Sequence, residues 1–224
     1  MIDIIIVNWN SGILLRKCLI SILNINHANI HKIIIVDNNS SDNSFDNIPD
    51  SSKILLKPLC FNSGFAFACN YGASFCKSKY LLFLNPDTEV NSNSITTPYN
   101  FLEQSINVNV AACGIKLYDK DMVLTHSCSQ FPSLLHFVLP LLGLSNNKYF
   151  KQYNLHYKSW NHDSTRKVDH IIGAFYFVRN NTFQELSGFD EDYFVYLEDL
   201  DFSLRVHKSG NEIYFLNNSH ALHI

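Results

Sequence analysis

Apolar runs and polar interruptions alternate regularly through the first 90 residues of the chain. The aliphatic run Ile4 to Val7, with Asp3 ahead of it, predicts a buried strand over Asp3–Val7. Ser11 stands at an N-cap position, ahead of a helix to about Leu23. On that helix Leu14, Leu15, Cys18, Leu19 and Ile22 share one face. Lys32–Val36 predicts a second strand, closed by the polar run Asp37-Asn38-Asn39-Ser40-Ser41-Asp42. A short strand is expected at Ile54–Leu56. A helix over Gly64–Cys76 follows, in which Ala66, Ala68, Gly72 and Ala73 permit close packing. Tyr80–Leu84 is the fourth strand, and it stops at Asn85-Pro86-Asp87-Thr88, which puts Asp87 at its carboxyl end. Strands alternating with helices imply parallel pairing through right-handed crossovers. In such sheets ligands bind along the rim of carboxyl ends.

The second half is less regular. Val110–Lys116 reads as a strand, but Phe131 to Tyr157 mixes Pro132, Pro140, leucines and aromatics with few charges and no period. That stretch fits either an apolar loop or a pair of short helices. The pattern returns at Val168 with a strand to Val178, then a helix near Thr182–Leu186. An acidic helix from about Glu198 to Lys208 and a strand at Glu212–Leu216 complete it.

Composition narrows the function classes. A formal net charge of −3 with no basic run argues against a nucleic-acid partner. Six cysteines without CxxC spacing, mostly inside apolar segments, suggest reduced core thiols of a cytoplasmic protein, not a disulfide frame or zinc site. The opening apolar run is too short for a signal-peptide core, and no apolar run approaches the roughly 18 residues of a membrane span.

Three polar groups sit at strand ends: Asn8-Trp9-Asn10, Asp37-Asn38-Asn39 and Asn85-Pro86-Asp87. Carboxylates and amides converging there can read a nucleobase edge and ribose hydroxyls, although the same residue types also terminate strands. With no GxGxxG after the first strand and no GxxxxGK[ST], a bound phosphate would need a cation at Asp87. A second cluster holds six carboxylates between Asp190 and Asp201, interleaved with Tyr193, Phe194 and Tyr196. These aromatics predict a low-polarity setting suited to a general base at Asp199, while capping of the helix by its first-turn acids is the plainer role. Asp201 and Arg205, at i and i+4, are expected to pair. His223, near the end of the last apolar segment, is a nitrogen donor that with Asp87 can complete a site for Mn²⁺ or a similar ion.

In this order the segments resemble the inverting glycosyltransferases of family two, in the rhamnosyltransferase-like branch of O-antigen and cell-wall polysaccharide assembly. The likeness rests on Ile5-Ile6-Val7-Asn8-Trp9-Asn10, Val36-Asp37-Asn38-Asn39-Ser40-Ser41-Asp42, Asn62-Ser63-Gly64-Phe65-Ala66 with Asn70 and Gly72, and Leu84-Asn85-Pro86-Asp87-Thr88. It continues through Gly173-Ala174, Arg179, Gly188-Phe189-Asp190-Glu191, Glu198-Asp199, Asp201, Arg205 and His223.

The resemblance implies an α/β GT-A type fold, with a Rossmann-like, mostly parallel central sheet flanked by helices and an acceptor-binding second half. Residues 1–115 would form the nucleotide-sugar half and 116–224 the acceptor and base half of one compact domain. It implies a dTDP- or UDP-sugar donor held by Asn8, Asp37, Asn38, Asn62, Asn70 and Asp87, and Mn²⁺ or Mg²⁺ on Asp87 and His223. Asp199 would be the catalytic base, with Glu198 and Asp190 on the acceptor side. The acceptor would be a polyprenyl-linked glycan at the inner face of the plasma membrane. There Leu134, Leu135, Phe137, Val138, Leu141 and Leu142, within a lid over Phe131–Leu144, would dip into the interface; the alternative is a buried helix pair. Asn85 replaces the first acid of the family's DXD metal motif, which keeps open a catalytically degenerate nucleotide-sugar-binding protein of the same fold. A nucleotidyltransferase is a third reading; it would need a Gly-rich basic loop after the first strand, and Asn10-Ser11-Gly12-Ile13 supplies no cation.

Overall fold

The computed structural model describes residues 1–25, 27–141, 157 and 160–224, with only the backbone of 46, 47, 137, 139 and 140. The first half follows the expected alternation: β1 (Ile2–Asn8), α1 (Ile13–Asn24), β2 (Ile30–Asp37), β3 (Ile54–Pro58), α2 (Phe65–Ala73) and β4 (Tyr80–Leu84). β1 pairs parallel with β2 and β4, and β2 parallel with β3. Apolar side chains leave both faces of these strands. Ile2, Ile4 and Ile6 join one core cluster with Leu15, Cys18 and Leu19 of α1, while Ile5 and Val7 join the other with Ala66, Ala68 and Cys69 of α2. Burial on both faces is why these strands read as unbroken apolar runs.

Beyond β4 come β5 (Thr88–Glu89), α3 (Ser92–Glu103), β6 (Val110–Tyr118), β7 (Cys128–Ser129) and α4 (Leu134–Leu141). β8 (Arg166–Val168), β9 (His170–Ile171), β10 (Phe175–Arg179), α5 (Asn180–Glu185), α6 (Glu198–Lys208) and β11 (Glu212–His223) complete the order. Among the described residues the main sheet has nine strands in the order β3-β2-β1-β4-β10-β6-β11-β5, with β8 beside β11, and β7 and β9 form a separate pair.

The structure differs from the sequence expectation in five places. The single strand predicted from Val168 to Val178 is three, β8, β9 and β10. β10 is antiparallel to both its neighbours, β4 and β6, so the pairing is not wholly parallel. α3 was not anticipated; Asn91 caps it with its side chain on the Asn93 and Ser94 N–H groups. β11 runs on to His223, past the expected end at Leu216, through a register shift between Leu216 and His220. Ser11 does not cap α1: Gly12 is the N-cap, without a side-chain bond, and the Gly12 N–H donates to Asp42 Oδ2 at 2.7 Å.

Arg179, one of the motif residues, closes the far end of this sheet. Its Nε donates to the Val110 carbonyl at 2.7 Å, and Nη2 donates to the carbonyls of Leu102 (2.8 Å) and Asn107 (3.0 Å). One guanidinium thus ties β10 to the end of α3 and the start of β6. Arg179→Ala leaves three carbonyls without this donor and should cost about 2–4 kcal/mol of unfolding free energy in urea titrations. Arg179→Lys should recover little, because an ammonium lacks the planar fork. A loss below about 0.5 kcal/mol, the range of ordinary surface changes, would rule the clamp out.

Candidate active site

The parallel strands bring the expected donor-side residues to one edge. Asn8 pairs in register with Asp37. Its Nδ2 donates to Asp37 Oδ1 at 2.9 Å and to Ser40 Oγ at 3.0 Å. The Ser40 hydroxyl (2.5 Å) and N–H (3.0 Å) both donate to the Asp37 carboxylate. Beside this network Asn38 Nδ2 donates to Asn62 Oδ1 at 2.8 Å, and Asn38 Oδ1 accepts from the Ser63 N–H at 2.8 Å. Asn8, Asp37 and Asn38 are buried, and Asn8 Oδ1 has no hydrogen-bond partner.

Asp87 lies on the same edge. The long β11 places His223 opposite Thr88, the first residue of β5, and the Ile224 N–H donates to the Asp87 carbonyl at 3.1 Å. This pairing brings His223 Nε2 to 3.3 Å from Asp87 Oδ1 and 3.5 Å from Asn85 Nδ2. Asp87 Oδ1 is otherwise a buried acceptor without a hydrogen bond. No group of three or more His, Cys, Asp or Glu that could hold a metal converges among the described residues. One carboxylate and one imidazole fit a hard or borderline divalent cation whose other ligands come from outside the protein, and not a closed all-protein cage.

The acidic side of the site is built on a clamped turn. Gly188 has φ +70°, and a Cβ there would lie 2.4 Å from Asn70 Oδ1. Asn70 Oδ1 accepts the Phe189 N–H at 2.9 Å, while Nδ2 donates to the Phe189 carbonyl at 2.8 Å and to Glu191 Oε1 at 2.9 Å. Asn70, expected to contact the donor, uses both amide N–H groups and one acceptor position of Oδ1 to hold this turn to α2. Arg205 pairs with Asp201 at 2.7 Å, as the spacing predicts, and its Nη1 donates to the carbonyls of Leu186 and Gly188. Asp190 is exposed and accepts the Asp192 N–H within the turn.

From this turn the chain reaches α6. Asp199 Oδ2 accepts the Gly173 N–H at 2.6 Å, and Oδ1 accepts the Leu200 N–H at 2.8 Å. Phe194 and Tyr196 are 57% and 78% exposed, so the low-polarity setting that these rings predict for Asp199 does not come from their burial. The buried acid is Glu198, 5% exposed, with Oε2 unpartnered. Burial pushes its carboxyl up to about 7, opposed in part by its own backbone N–H and reinforced by the Asp199 charge. A cleft of about 340 Å³ unites the two sides: Asn85 and His223 line it together with Glu198, Asp199, Tyr196 and Phe65. His170, Tyr176 and Ser203, which pack behind Asp199, belong to no motif that sequence reasoning singled out.

The sequence profile of Glycosyl transferase family 2 matches residues 3–185. The chain belongs to glycosyl transferase family 2. Rhamnosyltransferase WbbL of Escherichia coli K12 is 28% identical over 243 residues, covering 100% of this chain and 83% of its own. The N-acetylglucosaminyl-diphospho-decaprenol L-rhamnosyltransferase of Mycobacterium tuberculosis is 28% identical over 150 residues, 64% of this chain and 46% of that protein. Among solved structures, GalNAc-T7 with UDP, GalNAc and Mn²⁺ superposes at TM-score 0.71 and 14% identity, over 100% of this chain and 43% of that one. Staphylococcus aureus TarS 1–349 with UDP superposes at 0.66 and 14%, over 99% and 59%. This family 2 domain therefore has the GT-A fold, and it spans less than half of the mycobacterial relative and of GalNAc-T7.

Glu198 makes the stability of this glycosyltransferase depend on pH. Its ordinary value is 4.5, so between about 4.5 and 7 the folded chain holds a proton that the unfolded chain has released. The associated stability is fullest below 4.5 and declines as pH rises to 7, by at most on the order of 3 kcal/mol. Thermal melts of Glu198→Gln across pH 4.5 to 7.5 should lack this decline. Parallel curves for both proteins would contradict the assignment.

Proposed function

We propose that this glycosyltransferase moves a sugar, with inversion, from a nucleotide-sugar to a hydroxyl of a lipid-linked glycan in surface polysaccharide synthesis. The observation that carries the reading is the single cleft shared by Asn85, the Asp87-paired His223, Glu198 and Asp199. The names of the two rhamnosyltransferase relatives support dTDP-rhamnose as the donor, and that of the mycobacterial protein supports a polyprenyl diphosphate acceptor.

In this reading Asn8, Asp37, Asn38 and Asn62 bind the nucleoside, with the unpartnered Asn8 Oδ1 as a ready acceptor for an N–H of the base. Asp87 and His223 would hold Mn²⁺ or Mg²⁺, which when bound neutralises charge on the departing diphosphate. Asp199 takes the proton of the acceptor hydroxyl. Both of its oxygens are fixed by backbone N–H groups, so the lone pairs left over are aimed and the reaction loses little to reorientation. Attack opposite the leaving group inverts the anomeric carbon through an oxocarbenium-like transition state. Glu198, protonated near neutrality, can donate to an acceptor oxygen. Asp190, on the exposed turn, is the more peripheral acceptor-side group.

Leu134 and Leu141 of α4 are 82% and 85% exposed, which disfavours the buried helix pair and supports contact of this helix with the membrane interface. Residues 142–144 of the expected lid, Leu142 included, lie outside the described residues, and so does the rest of the aperiodic stretch to residue 156. No described helix is long and apolar enough to cross a membrane.

Two substitutions test the reading. Asp199→Asn should lower transfer from dTDP-rhamnose to a polyprenyl-diphospho-N-acetylglucosamine by about 10²–10⁴-fold while donor affinity stays within a few-fold. A near-normal rate would place the base elsewhere and favour a different chemistry or a binding role. Asp87→Ala should weaken dTDP binding in calorimetry with Mn²⁺ but not with a chelator; equal loss in both would remove the cation from the account.

A further inference from the structure

One buried imidazole beside the cleft has no part in the mechanism above. His170, in β9, presents both ring nitrogens to α6: Nδ1 lies 3.2 Å from Ser203 Oγ and Nε2 lies 3.9 Å from Asp199 Oδ2. Asp199 and Ser203 are i and i+4 on that helix and share a face. The Ser203 hydroxyl is also 2.7 Å from the Asp199 carbonyl and 3.1 Å from the Tyr176 hydroxyl.

Proton bookkeeping orients this cluster. The Asp199 carbonyl only accepts, and it is the nearest of the three partners, so the single Ser203 proton goes there. Ser203 Oγ then accepts from its other two partners. Tyr176 can donate, because burial keeps its hydroxyl protonated. His170 must then carry a proton on Nδ1, and its Nε2 edge, 3.9 Å from Oδ2 and beyond hydrogen-bond reach, stands against the carboxylate as a wall. Oδ2 is thus confined between the Gly173 N–H on one side and the imidazole edge on the other.

We propose that His170, acting through Ser203 and by direct contact, is a positioning residue that holds the Asp199 carboxylate in its cleft-facing orientation. The proposal rests on the reading of Asp199 as the base. It assigns no proton transfer to the ring. Without the imidazole, space opens toward β9 on one side of a carboxylate that its two backbone N–H bonds still hold, and the first turn of α6 loses its lateral tie. Misplacing a reacting group by about 1 Å can cost on the order of 10²-fold.

The test uses the full chain with dTDP-rhamnose and a short-chain polyprenyl-diphospho-N-acetylglucosamine as probes. His170→Ala should lower kcat about 10- to 100-fold with the donor KM within about twofold and circular dichroism unchanged. His170→Asn, whose amide N–H can stand in for Nδ1–H, should recover most of the loss. Ser203→Ala should lower kcat comparably, and the double variant should be no worse than the poorer single, because both act on one chain of contacts. A His170→Ala kcat within twofold of wild type, or losses that multiply in the double variant, would overturn the proposal. Should Asp199→Asn be inactive at the same time, the positioning role falls alone; should Asp199→Asn turn over normally, the base assignment falls and takes it along. A crystal structure of His170→Asn and His170→Ala gives an answer independent of substrate. Displacement of Asp199 from the Gly173 N–H in the alanine variant alone supports the role, and an unmoved carboxylate in both refutes it.

Discussion

The site depends on one strand running the wrong way. β1, β2 and β4 end on a common rim, but a wholly parallel sheet would bring only other strand ends there. β10 lies antiparallel beside β4, so the segment leading into it arrives where β4 departs. Two consecutive residues exploit this. The Ala174 carbonyl accepts the Asn85 N–H at 3.1 Å, and the Gly173 N–H donates to Asp199 Oδ2 at 2.6 Å. A single stretch of backbone thereby spaces the proposed cation side from the proposed base. A shift in the β4–β10 register would displace one relative to the other, so this pairing sets their separation.

Around that backbone, the motif residues divide by how their hydrogen bonds are used. Asn70, Arg179, Asp201 and Arg205 bond to turns and strand ends and hold the scaffold. Asn8 Oδ1 and Glu198 Oε2 are buried side-chain acceptors left without hydrogen bonds, and Asp87 Oδ1 has the His223 imidazole 3.3 Å away. A buried polar atom without a partner costs roughly 1–3 kcal/mol, so stability alone does not account for Asn8 Oδ1 and Glu198 Oε2. Ligand groups that supply the missing donors or charge would recover part of that cost on binding.

Much of the parallel half was legible because doubly buried strands must be unbroken apolar runs, and Ile4–Val7, Ile33–Val36 and Leu81–Leu84 are. The acidic helix Glu198–Lys208 was legible, and so was its Asp201–Arg205 pair. The antiparallel sense of β10 was not, since periodicity reports burial and says nothing of direction. α3 was hidden by Pro98 and by a mean hydropathy too polar for its period to stand out; its stability comes from the Asn91–Ser94 capping box and from packing on β6 and β11. The end of β11 was hidden by Asn217-Asn218-Ser219, polar residues taken up in the register shift that delivers His223 to Asp87. His170 left no trace because its role arises only when β9 and α6 pack together.

The approach to α6 shows the same exchange of stability for geometry. Tyr196 and Leu197 have φ of +67° and +73°, two successive left-handed residues with full side chains, a conformation that costs about 1–3 kcal/mol at each position. It is held from below. The Phe65 N–H donates to the Phe194 carbonyl at 2.7 Å, and Gly64, at φ +86°, leaves room for that carbonyl where a Cβ would stand 2.6 Å away. The reversal turns Glu198 inward and leaves Phe194, Val195, Tyr196 and Leu197 facing solvent at the cleft mouth. Four exposed apolar side chains on a strained, tethered loop bring no gain to the folded chain alone. Beside the proposed base they present hydrocarbon surface against which, in the proposed reading, a sugar ring or a prenyl chain would lose water, so that strain held in the backbone would be turned into acceptor affinity next to Asp199.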